Sequence, residues 1–166
     1  MAVGWLAIGP MRSTKCHRPG RAAFTLIEIM IVVAVIGLLA AIALPNIARA
    51  RETTRATLMF TDMKTAASAF EMFARENPSY PPSAAPGVVP IGMSPYLGSL
   101  KWTEPSPLGG SWDWDFNSSG FVAAVSVLGH KGTSEVMQEL DARLDDGNLD
   151  TGIFRGRPNG NSYVIE

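Results

Sequence analysis

Glu28 is the residue whose placement most demands a chemical explanation. It is the single charge within the apolar stretch Phe24–Leu44. A carboxylate there opposes residence in lipid by roughly 2.5–3.5 kcal/mol at the bilayer centre, so it calls for a partner and a function. A second group with possible chemistry is Asp145-Asp146-Gly147-Asn148-Leu149-Asp150. Asp146, Asn148 and Asp150 alternate as the early oxygen ligands of a calcium loop do, and calcium takes several such ligands. Gly152 nevertheless stands one place late, and Arg157 occupies the position of the closing bidentate glutamate, which excludes an EF-hand. A solvated turn with a helix stop at Gly147 and a calcium loop using Asp145, Asp146, Asn148 and Asp150 both remain open.

Other candidates are thinner. His130 would share a metal with no other histidine or cysteine of residues 24–166, because His17 and Cys16 both precede Phe24. Gly109-Gly110 lacks the strand and helix context of a phosphate loop. Trp102, Trp112 and Trp114 fit either a carbohydrate or partner platform or the cap of a small core. No nucleophile, base and orienting group converge in the sequence, so no enzyme is expected and no catalytic residue is assigned.

Composition narrows the classes further. The chain has 166 residues, the size of one domain, and a formal net charge of −1. The charge is unevenly placed. Arg12, Lys15, Arg18 and Arg21 precede Phe24 with no acid among them, and the rest of the chain carries 10 basic and 15 acidic side chains, a formal −5. Such a balance speaks against a nucleic-acid partner, which would need a basic face.

These residues must be positioned by a long helix and a small sheet. The 21 residues Phe24–Leu44 would span about 31 Å as a helix, matching a hydrocarbon core of about 30 Å. With the basic leader held on the cytoplasmic side, everything after Leu44 would lie across the membrane. Beyond Pro45 the pattern becomes amphipathic: Met59, Met63, Ala66, Phe70 and Phe73 form one apolar stripe. The helix should stop at Asn77-Pro78, because the residue before a proline avoids the helical region. Ser79–Pro107 reads as a connecting loop with one helical turn near Pro95-Tyr96-Leu97. Trp112–Phe116 and Phe121–Val127 read as strands joined through Asn117-Ser118-Ser119-Gly120. A short helix should run from Thr133 to about Leu144. Ile153–Arg155 and Tyr163–Ile165 suggest a terminal hairpin around residues 157–161.

The block Ala22-Ala23-Phe24-Thr25-Leu26-Ile27-Glu28-Ile29-Met30, after a basic leader, resembles the signal of type IV prepilins and type II secretion pseudopilins. The resemblance is specific over about residues 23–50. It implies cleavage between Ala23 and Phe24 by a prepilin peptidase and methylation of the new N-terminus at Phe24. Ala23 keeps the small size of the glycine that the family usually carries there. It also implies that Glu28 pairs with the Phe24 amine of a neighbouring subunit, and that Gly37 and Pro45 are the family's helix-bending positions. Met11 would give the 13-residue leader more typical of the family. The implied fold is α+β and pilin-like, a long N-terminal helix packed on a small antiparallel sheet. Its divisions are a leader at 1–23, a membrane and polymerisation helix at 24–44, an amphipathic continuation at 45–76 and a head at 77–166.

The expected role is a filament subunit in the inner membrane, its N-terminus cytoplasmic and its head extracytoplasmic. Its partners would be pilin-like subunits, the prepilin peptidase, an assembly platform and the lipid bilayer. Many pilins close a C-terminal loop with a disulfide, and residues 24–166 contain no cysteine, which inclines the reading toward a pseudopilin. No cofactor is required, although the family's major pseudopilins bind calcium in a C-terminal loop. The competing reading is a membrane-anchored binding domain that does not polymerise and uses its tryptophans as the binding surface. An ordinary secretory signal, cut near Ala43, would belong with that reading.

Overall fold

The computed structural model describes residues 24–98 and 100–166; the expected leader 1–23, with Cys16 and Ala23, lies outside them. The elements are α1 (Leu26–Glu76), β1 (Ser111–Ser118), β2 (Phe121–Leu128), α2 (Ser134–Leu144), β3 (Phe154–Arg157) and β4 (Gly160–Val164). They make an α+β structure in which part of one long helix covers an antiparallel sheet of order β1-β2-β4-β3. By its contacts the chain divides after Ala41 into two units.

In the first unit the described side chains through Leu39 are all exposed, Leu26 at 79% among them. This part belongs to a helix long and apolar enough to cross a membrane. Its Leu, Ile and Ala content supports helix, and the exposed apolar surface needs either lipid or protein around it. In the second unit α1 continues without interruption through Pro45 to Glu76, where the Asn77-Pro78 signal predicts its end.

The second half of α1 is rich in threonine, a weak helix former because its β-branch is stiff. Thr53, Thr54, Thr57, Thr61 and Thr65 each donate a hydroxyl hydrogen bond to the carbonyl four residues earlier, at 2.8–3.1 Å. The hydroxyls are thereby satisfied within the helix itself.

The apolar stripe of α1 packs on the sheet. Met59, Met63, Ala66 and Phe70 are buried, and Phe73 is half-buried against the same cluster. Opposite them lie Trp112 and Trp114 of β1, Val125 and Val127 of β2, and Phe154 of β3, with Val136, Met137 and Leu140 of α2 closing one side. Trp112 pairs with Val127, Trp114 with Val125 and Phe116 with Ala123, so one face of the hairpin is continuously apolar.

The other face departs from expectation. Alternation predicts that Asp113 and Asp115 face water, yet they are only 8% and 5% exposed. A polar network takes the place of solvent. Asp115 Oδ1 accepts hydrogen bonds from Ser118 and Ser119, and Oδ2 from Ser126 (3.0 Å) and Arg157 (2.5 Å). Ser126 in turn bonds Ser162 on β4 at 2.8 Å. All the lone-pair directions of the Asp115 carboxylate are thus used, as a buried charge requires.

Strand ends also shift. β1 begins at Ser111 and continues to Ser118, leaving a two-residue turn in which Ser119 (φ 55) and Gly120 (φ 86) both adopt the left-handed conformation of a type I′ hairpin. The terminal hairpin has a tighter turn than expected, β3 running Phe154–Arg157 and β4 Gly160–Val164 around Pro158-Asn159. Gly160 permits this, since a Cβ there would lie 2.0 Å from the Val127 carbonyl oxygen.

Candidate functional site

The beginning of α1 is organised by two side chains, Thr25 and Glu28. Thr25 precedes the first helical residue and its hydroxyl accepts the Glu28 N–H at 3.3 Å. Glu28 reaches back, its Oε2 accepting the Thr25 N–H and the Thr25 hydroxyl, each at 2.9 Å. This is a reciprocal capping box, which satisfies donors that the first helical turn otherwise leaves open. The signal was present in the sequence as Thr-Leu-Ile-Glu ahead of an apolar run. Attention to the carboxylate's charge alone misses its capping role.

The carboxylate is not exhausted by this arrangement. Oε1 has no partner among the described residues, so Glu28 can cap its own helix and still receive a cation. Phe24 is exposed immediately before the cap. Of the expected cleavage pair, Ala23 lies outside the described residues. Gly37 and Pro45 both fall inside α1, and a Cβ on Gly37 would meet no atom within 4 Å.

The acidic segment after α2 is only partly as expected. Asp145 and Asp146 do come together, and their partner is Asp141, one turn earlier on α2: ligand oxygens of the three lie within 4.8 Å of one another. Asp150 is not among the three. The Asn148 side-chain oxygen accepts the Asp150 N–H at 3.1 Å, a local turn that the short side chain favours. Asp145 Oδ2 accepts the N–H groups of Ile153 (2.5 Å) and Phe154 (2.8 Å). Asp146 accepts from the Asn148 N–H and the Thr151 hydroxyl. These two bonds hold its carboxyl below the usual range. Asp141 is fully buried, and its oxygens make no well-formed hydrogen bond, the Gly147 and Asn148 amides offering it only weak support. Burial, then the charges of Asp145 and Asp146, push its carboxyl upward. The sequence signal that points to Asp141 is its i, i+4 spacing to Asp145, which places both on one helix face.

The remaining candidates have structural roles. Trp102, Trp112 and Trp114 are 1–2% exposed, so they form core and not a platform. The Trp114 indole donates to the Pro81 carbonyl, pinning the long connecting loop to the sheet, and the Trp102 indole donates to the Val88 carbonyl within that loop. His130 bonds Asn161 Oδ1 through Nε2 at 2.7 Å while Nδ1 accepts the Gly132 N–H, which leaves Nε2 as the protonated nitrogen.

Comparison with known proteins places this geometry in context. The prokaryotic N-terminal methylation motif matches residues 18–44. The type IV wide pilus major component of Thermus thermophilus is 36% identical over 109 residues, covering 66% of this chain and 82% of that protein. The type II secretion system core protein G of Pseudomonas aeruginosa is 38% identical over 65 residues, 39% of this chain and 46% of the relative. The type IV major pilin of Myxococcus xanthus is 38% identical over 81 residues, 49% of this chain and 35% of the relative. The chain thus spans less than half the length of the latter two. No solved structure matches it.

Proposed function

We propose that this chain, which belongs to the prepilin-like family of type IV pilins and type II secretion pseudopilins, is a structural filament subunit of a pseudopilus. The observation that carries the reading is the capped carboxylate at the head of an exposed apolar helix. Glu28 holds the first turn of α1 through Oε2, and its Oε1, without a partner among the described residues, is available to a cation. A prepilin peptidase would cut between Ala23 and Phe24, and methylation would leave a cationic secondary amine on Phe24. That amine, on a neighbouring subunit, is the partner we assign to Glu28. In a low-dielectric helix bundle an unpaired carboxylate is costly, so pairing favours docking and sets axial register.

Before assembly the subunit would rest in the inner membrane through residues 24–44, with the leader cytoplasmic and the head extracytoplasmic. Gly37 and Pro45 would let α1 bend as helices pack, since glycine weakens a helix and proline removes one of its hydrogen bonds. The assembly platform would draw the subunit from the bilayer into a polymer with itself or other pilin-like chains. The binding-domain alternative has lost its proposed surface, because the three tryptophans are core.

Two observations divide pseudopilus from pilus. Residues 24–166 contain no cysteine to close a disulfide loop, which favours the former. The relative matched over 82% of its length is a pilus component, which favours the latter. The deciding experiment pairs mass spectrometry of membrane-extracted protein with a deletion strain. A methylated chain beginning at Phe24 is expected, together with a defect in protein export. A mature chain retaining Cys16 would overturn the prepilin reading; loss of surface fibres with normal export would assign the subunit to a pilus.

A further inference from the structure

We infer that Arg51 and Arg55 clamp the phosphate of an anionic phospholipid headgroup, just beyond the point where α1 leaves the bilayer. The inference rests on the reading of residues 24–44 as a membrane helix and goes beyond it, to a specific lipid contact. Ile47, Ala50, Arg51, Thr54 and Arg55 line one shallow cleft of about 480 Å³ on α1. Arg51 and Arg55 stand four residues apart and so share a helix face. Both are exposed, and neither pairs with a carboxylate among the described residues.

The acids closest to this cleft are engaged elsewhere. Glu52, three residues before Arg55, accepts the Thr133 N–H at 2.6 Å. Glu139 takes Arg49 at 3.3 Å, and Arg143 as well. The Thr54 hydroxyl donates to the Ala50 carbonyl at 2.8 Å, so its own hydrogen is already used within the helix. Two guanidinium forks beside two short residues remain, and such forks match phosphate oxygens bidentately.

Position along α1 selects a lipid as the source of that phosphate. Leu44 and Ile47 are exposed, so the apolar face continues one turn past the expected end of the span. Arg51 follows Ile47 by four residues and Arg55 by eight, about 6 and 12 Å along the helix. Headgroups occupy roughly 5–8 Å beyond each hydrocarbon face. Helical side chains lean toward the N-terminus, and an arginine stem lies along apolar surface with its charge at the interface. Both guanidiniums can therefore reach back into the phosphate layer, while Ile47 meets the apolar part of the same lipid. Arginines beside a span on the side opposite its basic leader also run against the positive-inside rule, so they call for a compensating contact.

The test places the full chain in nanodiscs of phosphatidylcholine mixed with phosphatidylglycerol and counts retained lipids by native mass spectrometry. The unaltered chain should retain phosphatidylglycerol in preference to phosphatidylcholine. An arginine near anionic headgroups contributes about fivefold in affinity, so the double substitution Arg51→Gln, Arg55→Gln should cut that preference at least about tenfold. Lys64→Gln, an exposed cation farther along α1, should leave it within about twofold. Glycerol phosphate added in excess should not displace the lipid; displacement would make the cleft a site for free phosphate esters and overturn the lipid assignment. A second protein copy retained in place of lipid, and lost in the double variant, would assign the arginines to self-association instead. Alkaline extraction of the chain from vesicles separates the two readings. A chain that stays in the bilayer with no difference between the unaltered and doubly substituted forms refutes the clamp alone. A chain that washes out refutes the membrane helix and the clamp with it.

Discussion

The rings of Phe70 and Trp114 lie face to face, 3.7 Å between centroids and 5° from parallel. This contact joins the C-terminal part of α1 to the middle of β1, and Trp102 meets the same phenyl edge-on at 5.6 Å. Phe70 is therefore the point where helix, sheet and connecting loop share one packing site. Phe70→Ala should cost about 3–5 kcal/mol, since the surrounding tryptophans cannot collapse into the space. Chemical denaturation of the head measures this; an unchanged midpoint would contradict the packing described.

The boundary of a soluble head follows from two contacts near the membrane exit. Glu52 accepts the Thr133 N–H at 2.6 Å, and Arg49 pairs with Glu139 at 3.3 Å. A fragment beginning at Asn46 should be soluble, monomeric and folded. One beginning at Thr53 should fold too, but with stability lower by about 0.5–2 kcal/mol, chiefly from the lost Glu52 bond, because the Arg49 pair is exposed. Equal urea midpoints for the two fragments would show that neither contact matters.

The two buried aspartates of β1 should respond oppositely to removal. Burial and the neighbouring Asp115 charge push the Asp113 carboxyl up, with Arg157, 4.0 Å away, only partly opposing. Burial also acts to raise Asp115, but hydrogen bonds from Ser119, Ser118 and Ser126 and the Arg157 charge outweigh it and hold it below the usual range. Asp115 therefore contributes stability that is present above the unfolded carboxylate pKa of about 3.9 and is lost as pH falls through its lower folded value. Asp113 has the reverse sign: its folded form binds the proton more tightly, so ionisation costs stability as pH rises past 3.9. At pH 7 Asp115→Asn should destabilise by about 2–4 kcal/mol by leaving Arg157 and the serines without their acceptor. Asp113→Asn should be neutral or stabilising at pH 7, and any gain should vanish below about pH 4. Denaturation curves at pH 3.5 and 7 decide both signs.

The Thr25–Glu28 box separates capping from pairing. Glu28→Ala should be cleaved and membrane-inserted normally, yet assemble poorly, because it loses both the cap and the carboxylate offered to a neighbour. Thr25→Ala removes the cap, worth about 1 kcal/mol, and keeps the charge, so it should reduce assembly less. Thr25→Ser restores the hydroxyl and should assemble fully. Filament yield per cleaved subunit is the measurement, and normal yield from Glu28→Ala would remove Glu28 from the assembly contact.

Local order by itself accounts for a large part of this molecule. The apolar run, the stripe from Met59 to Phe70, the stop before Pro78 and the turn at Ser119-Gly120 each depend on residues within a few positions of one another, so their periodicity and backbone preferences are readable without a fold. The capping box was equally local and could be read from Thr25 and Glu28 alone. The fate of the polar residues was decided elsewhere. Asp115 is buried because Arg157, 42 positions later, arrives from β3 to meet it. Asp141 loses its water because α2 turns its apolar side onto the core, and it gains two like charges because the chain folds back after Leu144. The three tryptophans could be surface or core until α1 lay across β1. Burial of a side chain depends on what the rest of the chain places over it, and that information is carried by tertiary packing, not by spacing.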